Sequence, residues 1–151
     1  MVTRVTTWEV VDVSISLTIE WEGLEALQRY LAKTIPEAFE KATLEALEET
    51  TRKGVEYAKA VVPVDTGALR RSIRQEPQPR REGDGYEAGI SAGGGGVINP
   101  RTGREVDYAG FVEWGTSRAP AQPYLTPALY EAVEHLPEAF LRILRRLIEI
   151  G

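Results

Sequence analysis

The chain has one histidine, His135, set between Glu134 and Leu136 in a stretch of helical apolar spacing. A general base or zinc ligand needs partners, yet there is no second histidine, no cysteine, and no G-x-S-x-G frame around Ser72, Ser91 or Ser117. His135 therefore reads as a surface or packing residue. The run Gly93-Gly94-Gly95-Gly96 is followed by Val97-Ile98-Asn99-Pro100 rather than by the G-K-[ST] and helix of a phosphate loop, so it reads as a flexible loop or hairpin tip. The carboxylates Asp65, Asp84, Glu87, Asp107 and Glu113 have no metal-binding spacing. A carboxylate- or metal-dependent hydrolase would require Asp65, Asp84 and Glu113 to converge; it is kept as a minor alternative. The expectation is a protein that is not an enzyme and needs no cofactor or metal.

Charge is more informative. Arg70, Arg71, Arg74, Arg80 and Arg81 fall within twelve residues that hold a single acid, Glu76. The segment carries +4 in a chain of net charge −5. Such a patch meets either an acidic protein face or nucleic-acid phosphates. No aromatic residues are interleaved for base stacking, so a nucleic-acid contact would be to the backbone alone. A nucleic-acid-backbone-binding module using these arginines is the second alternative, and a partner protein the preferred one.

The whole chain of 151 residues is acidic and lacks cysteine, which excludes a globally basic nucleic-acid binder, disulfide frameworks and thiol chemistry. No apolar run approaches the ~20 residues of a membrane helix, and MVTRVTTWEV lacks the apolar core of a signal peptide, so an intracellularly made protein with no membrane partner is expected. Fourteen arginines against four lysines, with one Asn and one Met, fit a thermophilic source; GC-rich coding gives the same bias.

The elements that must position these residues follow from periodicity. Val11, Val13, Ile15, Leu17, Ile19 and Trp21 alternate with polar residues, the pattern of a long, half-buried strand that starts earlier if Val5 and Trp8 belong to it. Leu24, Leu27, Tyr30 and Leu31 take helical spacing, ending near Thr34. Pro36 suits the first turn of a long helix to about Val62, with Thr34 as its cap. That helix carries two apolar stripes, one with Phe39, Ala46 and Tyr57, the other with Leu44, Leu47 and Val55. It should pack against the sheet on one side and a helix or another subunit on the other. Tyr86, Ala88 and Ile90 form a second strand, 108–114 is a short helix or strand, and 75–85 and 92–106 are flexible loops. A last helix from Pro127 is kinked or split by Pro137, and its Arg142, Arg145 and Arg146 suit the helix dipole. The expected architecture is a single α+β domain over 1–151. It has a small antiparallel sheet and a long N-terminal strand, packed on a long central helix and a Pro-interrupted C-terminal helix.

Two stretches go beyond patterning: residues 58–73, AKAVVPVDTGALRRSI, and 108–116, YAGFVEWGT, followed by 121–128, AQPYLTPA. In this order they resemble the tailed-bacteriophage neck and tail-completion (head–tail joining) family, whose members read P-V-D-T-G-x-L-R-x-S-I, then Y-A-x-x-x-E-x-G-T, then Q-P-[FY]-[LM]-x-P-A. The motif residues are Pro63, Asp65, Thr66, Gly67, Leu69 and Ser72 in the first stretch. In the second they are Tyr108, Ala109, Glu113, Gly115 and Thr116, then Gln122, Pro123 and Pro127. They make sense as fold or interface residues. Asp65 and Thr66 would satisfy free N–H groups, Gly67 a backbone shape closed to other residues, and Glu113 would need an arginine or the Thr116 hydroxyl. The resemblance implies a virion structural protein, assembled in the host cytoplasm. It would form a homo-oligomeric ring, a hexamer to match the tail, against connector and tail-tube proteins, with DNA at most passing through the lumen.

Overall fold

The computed structural model describes residues 2–8, 13–20 and 33–150, the first two segments by their backbone alone. The stretch with Leu24, Leu27, Tyr30 and Leu31 lies outside the described residues. The fold is α+β. Strands β1 (Val2–Trp8) and β2 (Val13–Glu20) are followed by helix α1 (Pro36–Val61), a short helix α2 (Ala68–Ser72), and strands β3 (Arg74–Gln75), β4 (Arg80–Glu82) and β5 (Gly85–Ala92). Helices α3 (Ala109–Trp114) and α4 (Leu125–Ile150) complete the chain. All strand pairs are antiparallel, in the order β1-β2-β5-β3, with β4 pairing the same strand β5 as β3 does.

The alternating stretch contributes strand β2 over its described residues, and the earlier strand-like residues pair with it instead of extending it. Val13–Glu20 forms β2, and the earlier strand-like residues form β1, running back along it from Val2 opposite Glu20 to Trp8 opposite Ser14. The register of β2 sets Ile15 opposite Ile90 and Leu17 opposite Ala88, so the apolar positions of β2 share a face with the buried Tyr86, Ala88, Ile90 and Ala92 of β5.

Helix α1 packs along α4, and both helices reach the sheet. The buried residues of α1 include Phe39, Ala42, Ala46, Leu47 and Ala58 together with Thr43, Thr50 and Thr51, whose hydroxyls donate to the carbonyls four residues back and so enter the core satisfied. Phe39 stacks edge-on to Phe140 of α4 and at a tilt to Tyr86 of β5, joining three elements at one point. Gly54 is where α1 comes closest to its neighbours. A Cβ there would stand 2.6 Å from the Ile90 side chain and 3.0 Å from the Ala128 carbonyl. Both apolar stripes of α1 are consumed inside the chain, except that Tyr57 and Val61 emerge at its C-terminal end. The second stripe therefore needs no neighbouring subunit to cover it.

Three local expectations change. Helix α1 starts behind Ile35, with Pro36 in its first turn and no side-chain cap, so Thr34 is not used. Helix α4 is not split at Pro137, which lies inside it on the exposed side. Its Arg142 and Arg146 reach across to Glu49 and Glu45 of α1, both at 2.6 Å, and so clamp the two long helices rather than only facing the end of their own.

Candidate functional site

The family motifs converge on two places. The first is the start of α4. Glu113, on α3, is 1% exposed and accepts four hydrogen bonds. Its Oε2 accepts the N–H groups of Tyr124 at 2.7 Å and Leu125 at 2.9 Å; its Oε1 accepts the Thr126 N–H at 2.9 Å and the Thr126 hydroxyl at 2.5 Å. A helix begins with N–H groups that have no partner in the helix itself. Here the first three belong to Tyr124, Leu125 and Thr126, and the next residue, Pro127, has none to satisfy. One carboxylate from eleven residues upstream therefore caps the whole first turn, and four donors fill its lone pairs. Its charge also faces the positive end of the helix dipole.

Neighbouring motif residues hold that carboxylate in place. Tyr124 is fully buried, and its hydroxyl donates to the Ala109 carbonyl at 3.1 Å, so the same side chain ties the first residue of α3 to the start of α4. Burial, and then the Glu113 charge, push the Tyr124 phenol well above its ordinary range. Gln122 donates its backbone N–H to the Val112 carbonyl at 2.8 Å. Gly115 ends α3 at φ +75°, and a Cβ there would meet the backbone N of Ala121 at 2.6 Å. Thr116 closes the turn that follows, accepting from the N–H groups of Arg118 and Ala119. The partner of Glu113 is thus the backbone of α4. The expected arginine or Thr116 hydroxyl is not used, because a helix start supplies several aligned donors where a hydroxyl supplies one.

The second place is a shallow cleft between the turn after α1 and the segment that leads into α3. Pro63, Asp65, Gly67 and Leu69 line it from the first motif, Tyr108 from the second. Asp65 does not cap α2. Both its oxygens pair with Arg101, at 2.7 and 2.8 Å, and both side chains remain two-thirds exposed. Thr66 does serve as expected, accepting the Ala68 N–H at 3.3 Å, and Gly67 precedes α2 at φ +78°. Ser72 accepts the Gly93 N–H at 2.9 Å and so anchors the glycine run.

That run is a built turn. Gly93, Gly94, Gly95 and Gly96 all have positive φ, from +59° to +87°. Gly94 donates to the Val106 carbonyl, Gly96 to the Glu105 carboxylate, and the Arg74 guanidinium reaches the Gly93 carbonyl at 2.6 Å. Likewise the stretch 75–85, read as loop, contains β4, and Gln75 of β3 binds the Thr51 hydroxyl and the Glu48 carbonyl of α1.

The arginine patch divides on folding. Arg74 is engaged with Gly93, Ser72 and Glu76, and Arg80 pairs with Glu87 at 2.8 Å and Glu82 at 3.6 Å. Arg71 touches the Thr66 carbonyl at 3.5 Å, while Arg70 and Arg81 are exposed and make no ion pair among the described residues. The three carboxylates of the hydrolase alternative do not converge. Glu113 is buried in its cap, Asp65 is paired with Arg101, Asp84 sits exposed in the β4–β5 turn, and no metal-holding group of acids or histidine forms among the described residues. Among those residues no helix is long and apolar enough to cross a membrane. His135 pairs with Glu131 on the surface of α4 at 3.1 Å.

The motif residues thus hold helix starts and turns together. The chain belongs to the family described as "Bacteriophage HK97-gp10, putative tail-component", which it matches over residues 25–115. That span contains the whole first motif and the second as far as Gly115. Neither a curated protein nor a solved structure matches the chain.

Proposed function

We propose that this phage tail component completes the tail at its junction with the head, as a homo-oligomeric neck or tail-terminator ring of six copies. The observation that carries the reading is the family match over 25–115, which includes the first motif and most of the second. Two structural features support it. The outer edge of β1 is unpaired among the described residues, so a neighbouring copy has a strand to add to, and a head-to-tail contact of that kind closes rings. The motif residues around the Asp65–Arg101 cleft, and Gln122 and Pro123 on the exposed turn before α4, offer a surface to a connector or tail-tube protein.

Arg70, Arg71 and Arg81 are the outward charges that would meet an acidic partner face. DNA is assigned no more than passage through a lumen lined by acidic residues such as the exposed Glu37 and Glu48 of α1. The test is cosedimentation with purified tail tubes and connectors. Reversing all three arginines to Glu is expected to weaken binding by about tenfold or more, with thermal stability unchanged. Salt-sensitive binding of the isolated chain to DNA, with no binding to tubes or connectors, would overturn this reading and favour the nucleic-acid alternative.

A further inference from the structure

The outward face of α4 has an unusual distribution of apolar groups and charge. Tyr130, Leu141 and Ile148 are 68%, 61% and 50% exposed, and Pro137 is exposed between them. At 100° per residue these four fall within about 40° of one another, turned away from the face that Leu136, Ala139 and Ile143 bury. Their spacing, 130–137 and 141–148, is a heptad seam on a helix that has no second helix to receive it among the described residues. Charge along the seam is polarised. Glu131, Glu134 and Glu138 occupy the N-terminal half and Arg142, Arg145 and Arg146 the C-terminal half, with Glu149 the one acid beyond them. Arg142 and Arg146 are held by Glu49 and Glu45, which leaves Arg145 without an ion pair among the described residues. A groove at the middle of this face is lined by Pro137, Leu141 and Arg145.

We infer that α4 is the contact through which two free copies of this chain pair, antiparallel, about a two-fold axis near Ala139. The sequence of the seam fits its own reverse. In that register Tyr130 of one copy faces Ile148 of the other, Leu141 of each enters the groove beside Pro137 of the other, and Glu134 approaches Arg145. A parallel register would instead set Glu134 on Glu134 and Arg145 on Arg145, which is repulsive. Like charges approach at Glu138 with its twin beside the axis and, farther out on the flank, at Glu131 with Glu149. This contact joins the same patch on both copies, so it closes at two and cannot propagate, unlike the head-to-tail contact of a ring. It stands independently of the ring reading and gives the unassembled chain a form that does not polymerise.

Because the chain has no cysteine, single introduced thiols report the register cleanly. Glu138→Cys is expected to cross-link to its twin with a bis-maleimide about 10 Å long, the separation of packed helices. Tyr130→Cys is not, because its twin would lie about 27 Å away along the seam. A mixture of Tyr130→Cys and Ile148→Cys should give the mixed dimer. Light scattering should show a mass that rises with concentration toward twice 16.7 kDa, and Leu141→Glu should abolish both the mass increase and the cross-link while circular dichroism stays unchanged. The inference is overturned if Tyr130→Cys cross-links to itself as readily as Glu138→Cys, or if Glu138→Cys stays uncross-linked in a folded protein.

Discussion

Glu113 is the residue on which the second and third family motifs meet. Its carboxylate accepts every free N–H of the first turn of α4, and Pro127 removes the one donor it could not reach. Losing such an acceptor leaves buried N–H groups without partners, so Glu113→Ala should cost about 3 kcal/mol. For a chain of this size that is a melting temperature lower by roughly 6–12 °C in calorimetry. Glu113→Gln keeps the shape but turns an NH2 group toward N–H donors, and should fall between the parent and the alanine variant. A melting temperature unchanged in both would refute the capping role. The motif spelling made Glu113 conspicuous in the sequence, and its need for a partner followed from its apolar surroundings. The identity of that partner did not, because a cap supplied from eleven residues away has no local spacing to read. One signal was present: Tyr124, before α4, is a poor cap by type, and Pro127 follows at the one place where a missing N–H helps.

Between elements, the clamp of α1 on α4 carries a pH signature. Hydrogen bonding from Arg142, then from Lys53, holds the Glu49 carboxyl below its ordinary value of 4.5. The unfolded chain therefore takes up the proton first as pH falls. The stabilisation is fully present above that ordinary value and is lost as pH drops through the lowered one. Urea midpoints measured from about pH 6 to pH 3 should fall for the parent chain, and Glu49→Gln should start lower and fall less steeply. Equal slopes for the two chains would contradict the clamp. The clamp itself was not legible, since arginines in a last turn also suit the helix dipole and nothing local tells the two apart. The long α1 and the strand at Tyr86, Ala88 and Ile90 were legible from periodicity. The pairing of β1 with β2 was not, because alternation marks a strand and says little about where the chain turns back. The glycine run misled for a related reason. Four glycines read as freedom, but here they are four residues in left-handed geometry that Ser72, Arg74 and Glu105 hold in place.

At the scale of the molecule, the net charge of −5 conceals its own arrangement. Residues 63–118 are neutral, yet Arg70, Arg71 and Arg81 point outward from them, while the acids of α1 are divided between the clamp and an exposed face. The buried polar groups described above go to the fold: Glu113 to a helix start, the threonines of α1 to their own helix, Ser72 to the glycine turn. Under the proposed function the chain's contribution to the phage is shape, edge and surface charge. The direct test is negative-stain electron microscopy of tail tubes incubated with the purified chain, with light scattering on the same samples. Rings seated on the ends of the tubes are expected, with a bound mass of about six chains per end. Bare tube ends, with the chain left wholly as monomer or dimer in the presence of both tubes and connectors, would contradict the ring reading.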